Sequence, residues 1–333
     1  MSIGKGDVVL VTGATGFTGV HLVRTLCETG AEVRAIVRES SNLEAIKDLP
    51  ITFFKGDVYD EATCQAAAAG VHYVFHVAAA FREAKIQDNI YHRVHVESTQ
   101  HLTKVCLANE GFKRFIHVST MGVHGHIEEP PATEEYRFAP GDEYQVTKVE
   151  AENWVRDFAQ ETGLPLTVVR PCAIYGPGDR RLLKVFKMAK MPVLPVLGVG
   201  CKNLYHLVHV KDLVDFMIHA SQQKSTLGEV YLCGADEPIR LVDMVARIGG
   251  KLGTKPKILR LPVTPFFWAG DLCELICKPL GIEPPIYRRR VAFYTKDRAF
   301  STAKMRSTGY TNQYSNESGI DDLTDWYVKE GWL

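Results

Sequence analysis

The chain has 333 residues, and its 39 basic and 39 acidic side chains leave a formal net charge of zero. Apolar residues make up 46% and charged residues 23%, a globular composition that excludes a disordered chain, and the charge balance argues against nucleic acid or an anionic membrane surface as main partner. No apolar run approaches the ~18 residues of a transmembrane segment, and the length suits one large α/β domain with a smaller appended lobe. The eight cysteines are scattered without a Cys-x-x-Cys pair, which fits reduced thiols in a cytoplasmic protein and offers no metal site. The first strand starts almost at once, with no signal-peptide pattern ahead of it.

Residues 8–11 are apolar and mostly β-branched, and they read as a buried parallel strand. Gly13, Gly16 and Gly19 follow, and residues 21–27 carry apolar side chains at helical spacing. Strand, glycine turn and helix is the context of a dinucleotide fingerprint. Glycines let the backbone approach a pyrophosphate, and the helix N-terminus offers free N–H groups and a positive dipole end. Gly13, Thr15, Gly16, Phe17, Thr18 and Gly19 are therefore assigned to a cofactor, the alternative being a tight turn without ligand. The spacing is Gly-x-x-Gly-x-x-Gly, not the general Gly-x-Gly-x-x-Gly.

Residues 32–38 form a second strand with Arg38 at its tip and Glu39 next. A base at this tip accommodates the 2′-phosphate of NADP, whereas an acid binds the free 2′-hydroxyl of NAD. Arg38 favours NADP(H) over NAD(H); the alternative is an exposed arginine with Glu39 on the ribose. A third strand over 51–58 ends in Gly56-Asp57-Val58. Asp57, with Val58 beside it, is placed to accept a hydrogen bond from the adenine amino group, or to cap a helix over 61–69. Residues 71–80 give a fourth strand and a turn, where Val77, Ala78 and Ala79 allow a cofactor close; His76 reads as a packed strand residue. Residues 81–92 read as a polar loop over the site, 94–109 as a helix, and 112–120 as a fifth strand ending in Ser119-Thr120.

Tyr144 and Lys148 start a helical stretch over 144–161, and their spacing puts them on one face. A free tyrosine titrates near ~10, too high for proton transfer at neutral pH. A neighbouring ammonium and a nicotinamide cation stabilise the phenolate and lower that value. Lys148 can also hydrogen-bond the nicotinamide ribose, and Ser119 or Thr120 can hold a substrate oxygen. Alone, such a pair is an ordinary surface pair; behind a nucleotide turn and a hydroxyl-ended strand it reads as acid and activator.

Residues 166–171 are a sixth strand, and the loop that follows crosses beneath the nicotinamide, so Pro171 and Ile174 join the cofactor set. A strand-to-helix unit begins at 207–213 with Asp212 as candidate N-cap, a late strand lies at 229–233, and 241–252 is an amphipathic helix. Residues 262–287 form an apolar, proline-bounded segment whose apolar side chains run to Ile276 and which ends at Gly281-Ile282-Glu283-Pro284-Pro285. A core helix of the second lobe is the favoured reading; a lid over an apolar substrate, or a peripheral membrane contact, is the alternative. Arg288, Arg289 and Arg290 read as a solvated face. Trp326, Tyr327 and Trp332 mark a closing helix with an aromatic end.

Together these residues resemble the extended short-chain dehydrogenase/reductase family, within the NAD-dependent epimerase/dehydratase superfamily. The resemblance rests on residues 12–19, Gly56-Asp57-Val58, 76–79, 118–120, Tyr144 with Lys148, Arg170-Pro171 with Tyr175-Gly176-Pro177, and 209–213. It implies a Rossmann-type doubly wound parallel sheet with a smaller C-terminal α/β substrate lobe. Residues 1–176 would form the dinucleotide-binding domain and 177–333 mainly the lobe, with some later segments returning to the first. It implies hydride transfer between a nicotinamide and a secondary alcohol or ketone of a small-molecule substrate. Tyr144 would be the proton donor or acceptor, Lys148 its activator, Thr120 the substrate-oxygen partner and Ser119 the neighbouring candidate.

The departures from the family are specific. His95 stands where the family usually carries Asn, which bears on any water relay anchored there. Met121-Gly122 replace the acidic pair of sugar-nucleotide dehydratases, so water elimination is not expected. Tyr205 replaces the diphosphate-binding arginine of many sugar-nucleotide epimerases. Arg38, Tyr205 and the apolar segment favour a largely apolar, steroid- or flavonoid-like substrate, as in the 3β-hydroxysteroid dehydrogenase and dihydroflavonol reductase branch. The alternative is a UDP-sugar type 4-epimerase with tightly held NAD, using Arg180, Arg181 or residues 288–290 for the diphosphate. A nucleotide-sensing regulator is disfavoured, because such relatives lose the Tyr144–Lys148 pair. By family analogy, the helices over 94–109 and 144–161 imply a homodimer.

Overall fold

In the computed structural model, which describes residues 2–80, 89–197, 203–277, 279, 282, 284 and 297–333, the apolar runs become the strands of one sheet. They are β1 (Val8–Thr12), β2 (Glu32–Val37), β3 (Ile51–Lys55), β4 (Tyr73–His76), β5 (Arg114–Val118) and β6 (Leu166–Pro171). Outside this sheet lie β7 (Ala173–Tyr175), β8 (Val193–Leu197), β9 (Leu204–Tyr205) and β10 (Leu207–His209); β11 (Val230–Cys233) then returns as its seventh strand. Neighbouring strands are all parallel in the order β11-β6-β5-β4-β1-β2-β3. The chain therefore winds outward from β1 to β3, crosses back to β4 and winds out the other way. Such a doubly wound sheet opens a crevice at the carboxyl ends of β1 and β4.

Alternation along β1 assigns the two faces. Val9 and Val11 pack with Leu22, Val23 and Leu26 of α1 (Phe17–Glu28). Leu10 points the other way, to Cys64 and Ala67 of α2 (Glu61–Ala68). On that second face also lie α4 (Ser98–Leu107), reached from α3 (Asn89–His92) through a π-helical turn (Arg93–Glu97), and α5 (Glu143–Thr162). After β7 come α6 (Leu183–Met188), α7 (Val210–Gln222), which joins α1 on the first face, and α8 (Leu241–Leu252). Then follow α9 (Thr264–Cys277), α10 (Ala303–Ser307) and α11 (Asn316–Lys329). A separate core joins α6, α8 and α11 through Phe186, Ile248 and Tyr327, with Trp326 and Trp332 packed on it.

Four sequence expectations are corrected. Residues 89–92 are helical rather than loop, because Asn89–His92 continues into the turn below it; residues 81–88 lie outside the described set. Asp57 is not a helix cap: Asp60 caps α2 and accepts the Thr63 N–H at 2.9 Å. Asp212 is not an N-cap either, since α7 already begins at Val210; its buried carboxylate accepts the N–H groups of Gln313 (2.7 Å) and Tyr314 (3.2 Å). Helix α9 is not a core helix. Only Gly270 of it is buried, and Trp268 is 70% exposed. Cys201 and Arg288–290 lie outside the described residues. No helix of the described residues is long and apolar enough to cross a membrane.

Helix α5 is tied to the sheet by charge. Arg170 on β6 and Glu152 on α5 are both fully buried, and the Arg170 Nε lies 3.1 Å from each Glu152 oxygen. Arg170 also donates to the Glu134 carbonyl at 2.7 Å. Removing one member of such a pair strands the other charge in the core, at about 3–5 kcal/mol. Glu152→Ala should therefore lower the unfolding free energy by about that amount in urea titration. A change within about 0.5 kcal/mol, ordinary for a surface substitution, would show that the pair is idle.

Candidate active site

Close backbone approach shapes the turn after β1. Gly13 has φ 72°, and a Cβ there would lie 2.9 Å from the Ala78 Cα and N. Glycine thus lets the turn after β4 come against the turn after β1. A Cβ on Gly19 would collide with the Gly13 carbonyl oxygen, so α1 packs onto its own entry turn only without a side chain. The Gly16 N–H closes the turn on the Gly13 carbonyl at 3.0 Å. Gly16 is the N-cap of α1, and no side chain caps that end. The first N–H groups of α1 are therefore available to an anion, with the helix dipole behind them.

A cleft of about 560 Å³ opens beside this end. Gly13, Thr15, Gly16, Arg38, Asp57, Val58, Ala78 and Ala79 all line it. Residues from four separate strand ends are thus brought to one crevice. Phe17, Thr18 and Gly19 form the first turn of α1 instead; the Phe17 ring packs toward Gly178 and under the Arg181 guanidinium, 5.4 Å away. Val77 backs the Gly13 contact. Pro171 and Ile174, at the end of β6 and in β7, do not line this cleft.

Sequence reasoning missed Ser41, Tyr59 and Ala80 in the lining. Ser41 accepts the Arg38 N–H at 3.0 Å, and the Arg93 guanidinium stacks 3.8 Å over the Tyr59 ring. Nothing in their spacing marks them, because the crossover between β2 and β3 brings in Ser41, the turn after Asp57 brings in Tyr59, and the turn after β4 brings in Ala80.

The acid–base candidates stand at the start of α5. Asp142 caps this helix, accepting the Gln145 N–H at 2.8 Å. Tyr144 and Lys148 follow one turn apart on one face. Lys148 is 2% exposed, and its Nζ donates to the Val118 carbonyl at 2.9 Å. Burial pushes its ammonium down to about 8, opposed by the Glu152 carboxylate one turn on. The Thr120 hydroxyl oxygen, half-buried, accepts the Gly122 N–H at 3.0 Å and keeps its own proton to donate. Ser119 points inward instead, and its buried hydroxyl has no protein partner.

Histidines lie beneath this pair. His76 sits between the hydroxyls of Thr12 (2.8 Å) and Ser98 (3.1 Å), as a packed strand residue should. Burial, then the Lys148 charge, holds His76 and His117 well below the ordinary histidine range. Both are therefore neutral and add no charge beside Lys148.

Residues 9–234 match the NAD dependent epimerase/dehydratase family. The chain belongs to that family. It is accordingly an enzyme of the extended short-chain dehydrogenase/reductase superfamily, built to use a nicotinamide dinucleotide. A ceramide reductase of Caulobacter vibrioides is 29% identical over 337 residues, which span 100% of this chain and 98% of that protein. A UDP-glucose 4-epimerase of Vibrio cholerae is 26% identical over 266 residues, 77% of this chain and 79% of the other. The crystal structure of gox2253 superposes with a TM-score of 0.82 at 28% identity, covering 98% of this chain and all (100%) of that one.

The displaced lysine titration predicts a pH signature. An unfolded lysine titrates near its ordinary 10.5, so between about 8 and 10.5 the unfolded chain binds more protons than the folded one. Stability then rises with pH through that window. The stability of the cofactor-free wild type minus that of Lys148→Met should climb across it in denaturant titrations. A flat difference would show that the folded and unfolded lysine titrate alike.

Proposed function

We propose that this protein is an NADP(H)-preferring dehydrogenase or reductase that transfers a hydride between the nicotinamide and a secondary alcohol or ketone of a largely apolar, steroid- or flavonoid-like substrate. The observation that carries the reading is the buried Lys148, anchored on the Val118 carbonyl and one helical turn from Tyr144, with Thr120 two residues beyond Val118. The nicotinamide supplies or takes the hydride when bound. Tyr144 gives its phenolic proton to the substrate oxygen in reduction and takes it back in oxidation. The Lys148 ammonium holds the phenolate that results, and Thr120 orients the oxygen by donating to it. The uncapped end of α1 would hold the pyrophosphate and Asp57 the adenine.

The choice of NADP rests on Arg38, exposed at the cleft rim with a Ser41 hydroxyl beside its backbone. The apolar substrate is supported by the end-to-end likeness to a protein named for ceramide, and by the exposed apolar side chains of α9. A sugar-nucleotide epimerase is the second reading, favoured by the partial likeness to the Vibrio cholerae epimerase. It would use Arg180, Arg181 or residues 288–290 for a diphosphate; of these, Arg181 is already paired with Asp179 at 2.8 Å. A cytoplasmic homodimer completes the proposal; the free thiols of the described residues suit a reducing compartment.

Tyr144→Phe should cut kcat by about 10²–10⁴-fold, the usual worth of a general acid, while NADPH affinity stays within about twofold. Surviving turnover would remove Tyr144 from the mechanism. The purified protein should carry no nucleotide and bind NADPH more tightly than NADH, and Arg38→Asp should reverse that preference by about tenfold or more, the worth of one charge-assisted contact. Stoichiometric NAD released on denaturation would favour the epimerase, and an unchanged preference would remove Arg38 from cofactor choice.

A further inference from the structure

His95 lies in the middle of the π-helical turn between α3 and α4, and it is 1% exposed. The turn is closed by the Ser98 N–H on the Arg93 carbonyl, one residue wider than an α-helical bond. Such local widenings recur where a side chain must be re-aimed at a site. Both ring nitrogens are engaged. Nε2 accepts the Ala80 N–H at 3.2 Å and so carries no proton. Nδ1 therefore holds the ring proton and donates it to the Thr147 hydroxyl at 2.9 Å. That hydroxyl donates in turn to the Glu143 carbonyl at 2.9 Å, with the Tyr144 carbonyl at 3.2 Å.

The two ends of this chain belong to the two halves of the site. Ala80 lines the cofactor cleft. Thr147 lies on α5 between Tyr144 and Lys148. The imidazole itself meets the Tyr144 ring at a centroid distance of 5.2 Å and 86°, edge to face. Tyr91 packs on the same ring pair, 5.9 Å from His95 and 6.3 Å from Tyr144.

We propose that His95 is a positioning residue: a neutral, Nδ1-protonated imidazole that clamps the cofactor-side turn at Ala80 to the helix carrying Tyr144. It holds and does not shuttle. Each ring nitrogen is committed within the protein, and the His95 carbonyl already accepts the Thr99 hydroxyl at 2.6 Å. Burial and the Lys148 charge keep the ring neutral. A water relay anchored on Asn in the family resemblance is here replaced by a fixed side-chain bridge. This inference rests on Tyr144 as the proton carrier for its effect on turnover, but its effect on cofactor binding does not.

The test separates the two ends. His95→Leu removes both bonds and should weaken NADPH binding several-fold and lower kcat by about 10²-fold, the scale of small misplacements of reacting groups. Thr147→Val cuts only the α5 end; it should lower kcat and leave NADPH affinity unchanged. The two losses in kcat should be strongly non-additive in the double variant. His95→Gln, which keeps one acceptor and one donor, should recover most of both functions.

In ¹⁵N-histidine spectra of the wild type, the resonances absent from His95→Gln should report a proton on Nδ1 and none on Nε2, without titration from about pH 5 to about pH 9, a range that spans an ordinary histidine. A proton on Nε2, a titrating ring, additive losses, or equal weakening of NADPH by Thr147→Val would each overturn the clamp. If Tyr144→Phe keeps full turnover, the acid–base reading fails, while the spectra and the NADPH arm still decide on His95.

Discussion

The contact between the Arg170 guanidinium and the Glu152 carboxylate fixes α5, the helix that carries Tyr144 and Lys148, against the sheet. Both groups are buried, and their desolvation is offset only at close, well-aligned geometry. That requirement sets both the rotation and the height of α5 against β6. Lys148 lies one turn before Glu152, and Tyr144 one turn before that. A rotation of α5 that kept Tyr144 and Lys148 on one face but broke the ion pair would strand two charges. The network extends further: the Glu134 carboxylate accepts the Leu232 N–H of β11 at 2.9 Å, and Arg170 reaches the His124 ring at 3.1 Å. The strand that joins the sheet last is thus wired into the support of α5.

A second constraint acts at the cofactor end, and it is steric rather than electrostatic. Gly13 and Gly19 carry no Cβ because other backbone occupies the space. The turns after β1 and β4 therefore touch, and both line the cleft. Ala78, Ala79 and Ala80 continue that lining with small side chains. His95 connects this steric end with the electrostatic one, since its two nitrogens reach the two ends separately. Rigid geometry at both ends is what the proposed hydride and proton transfer to one substrate carbon and oxygen would require.

The neutral histidines have a related consequence. His76, His117 and His95 all lie close enough to Lys148 for its charge to depress them, and burial depresses them more. A protonated imidazole in that layer would push Lys148 further down and weaken its hold on a phenolate. Keeping the layer neutral leaves Glu152 as the counter-charge that acts on Lys148.

Local pattern was sufficient wherever one segment carries the whole signal. The apolar β-branched run before Gly13, the glycine spacing, and the Tyr144–Lys148 interval each depend on residues within a few positions, so the strand, the turn and the shared helical face were legible in the sequence. Eight of the assigned cofactor residues share one cleft because the parallel sheet brings four strand ends together. What failed depended on partners distant in the chain. Asp212 looked like a cap, but residues 313 and 314 supply the N–H groups it binds. Helix α9 has the composition of a core helix, yet composition does not say whether a neighbour covers it. The role of His95 was invisible as well, because Ala80 and Thr147 flank it from opposite sides at separations of 15 and 52 residues. The sequence by itself determined the strands of the central sheet, the glycine turn after β1 and the shared helical face of Tyr144 and Lys148. Only the tertiary structure decided which buried polar groups face one another, since a hydrogen bond between remote residues leaves no periodicity to read.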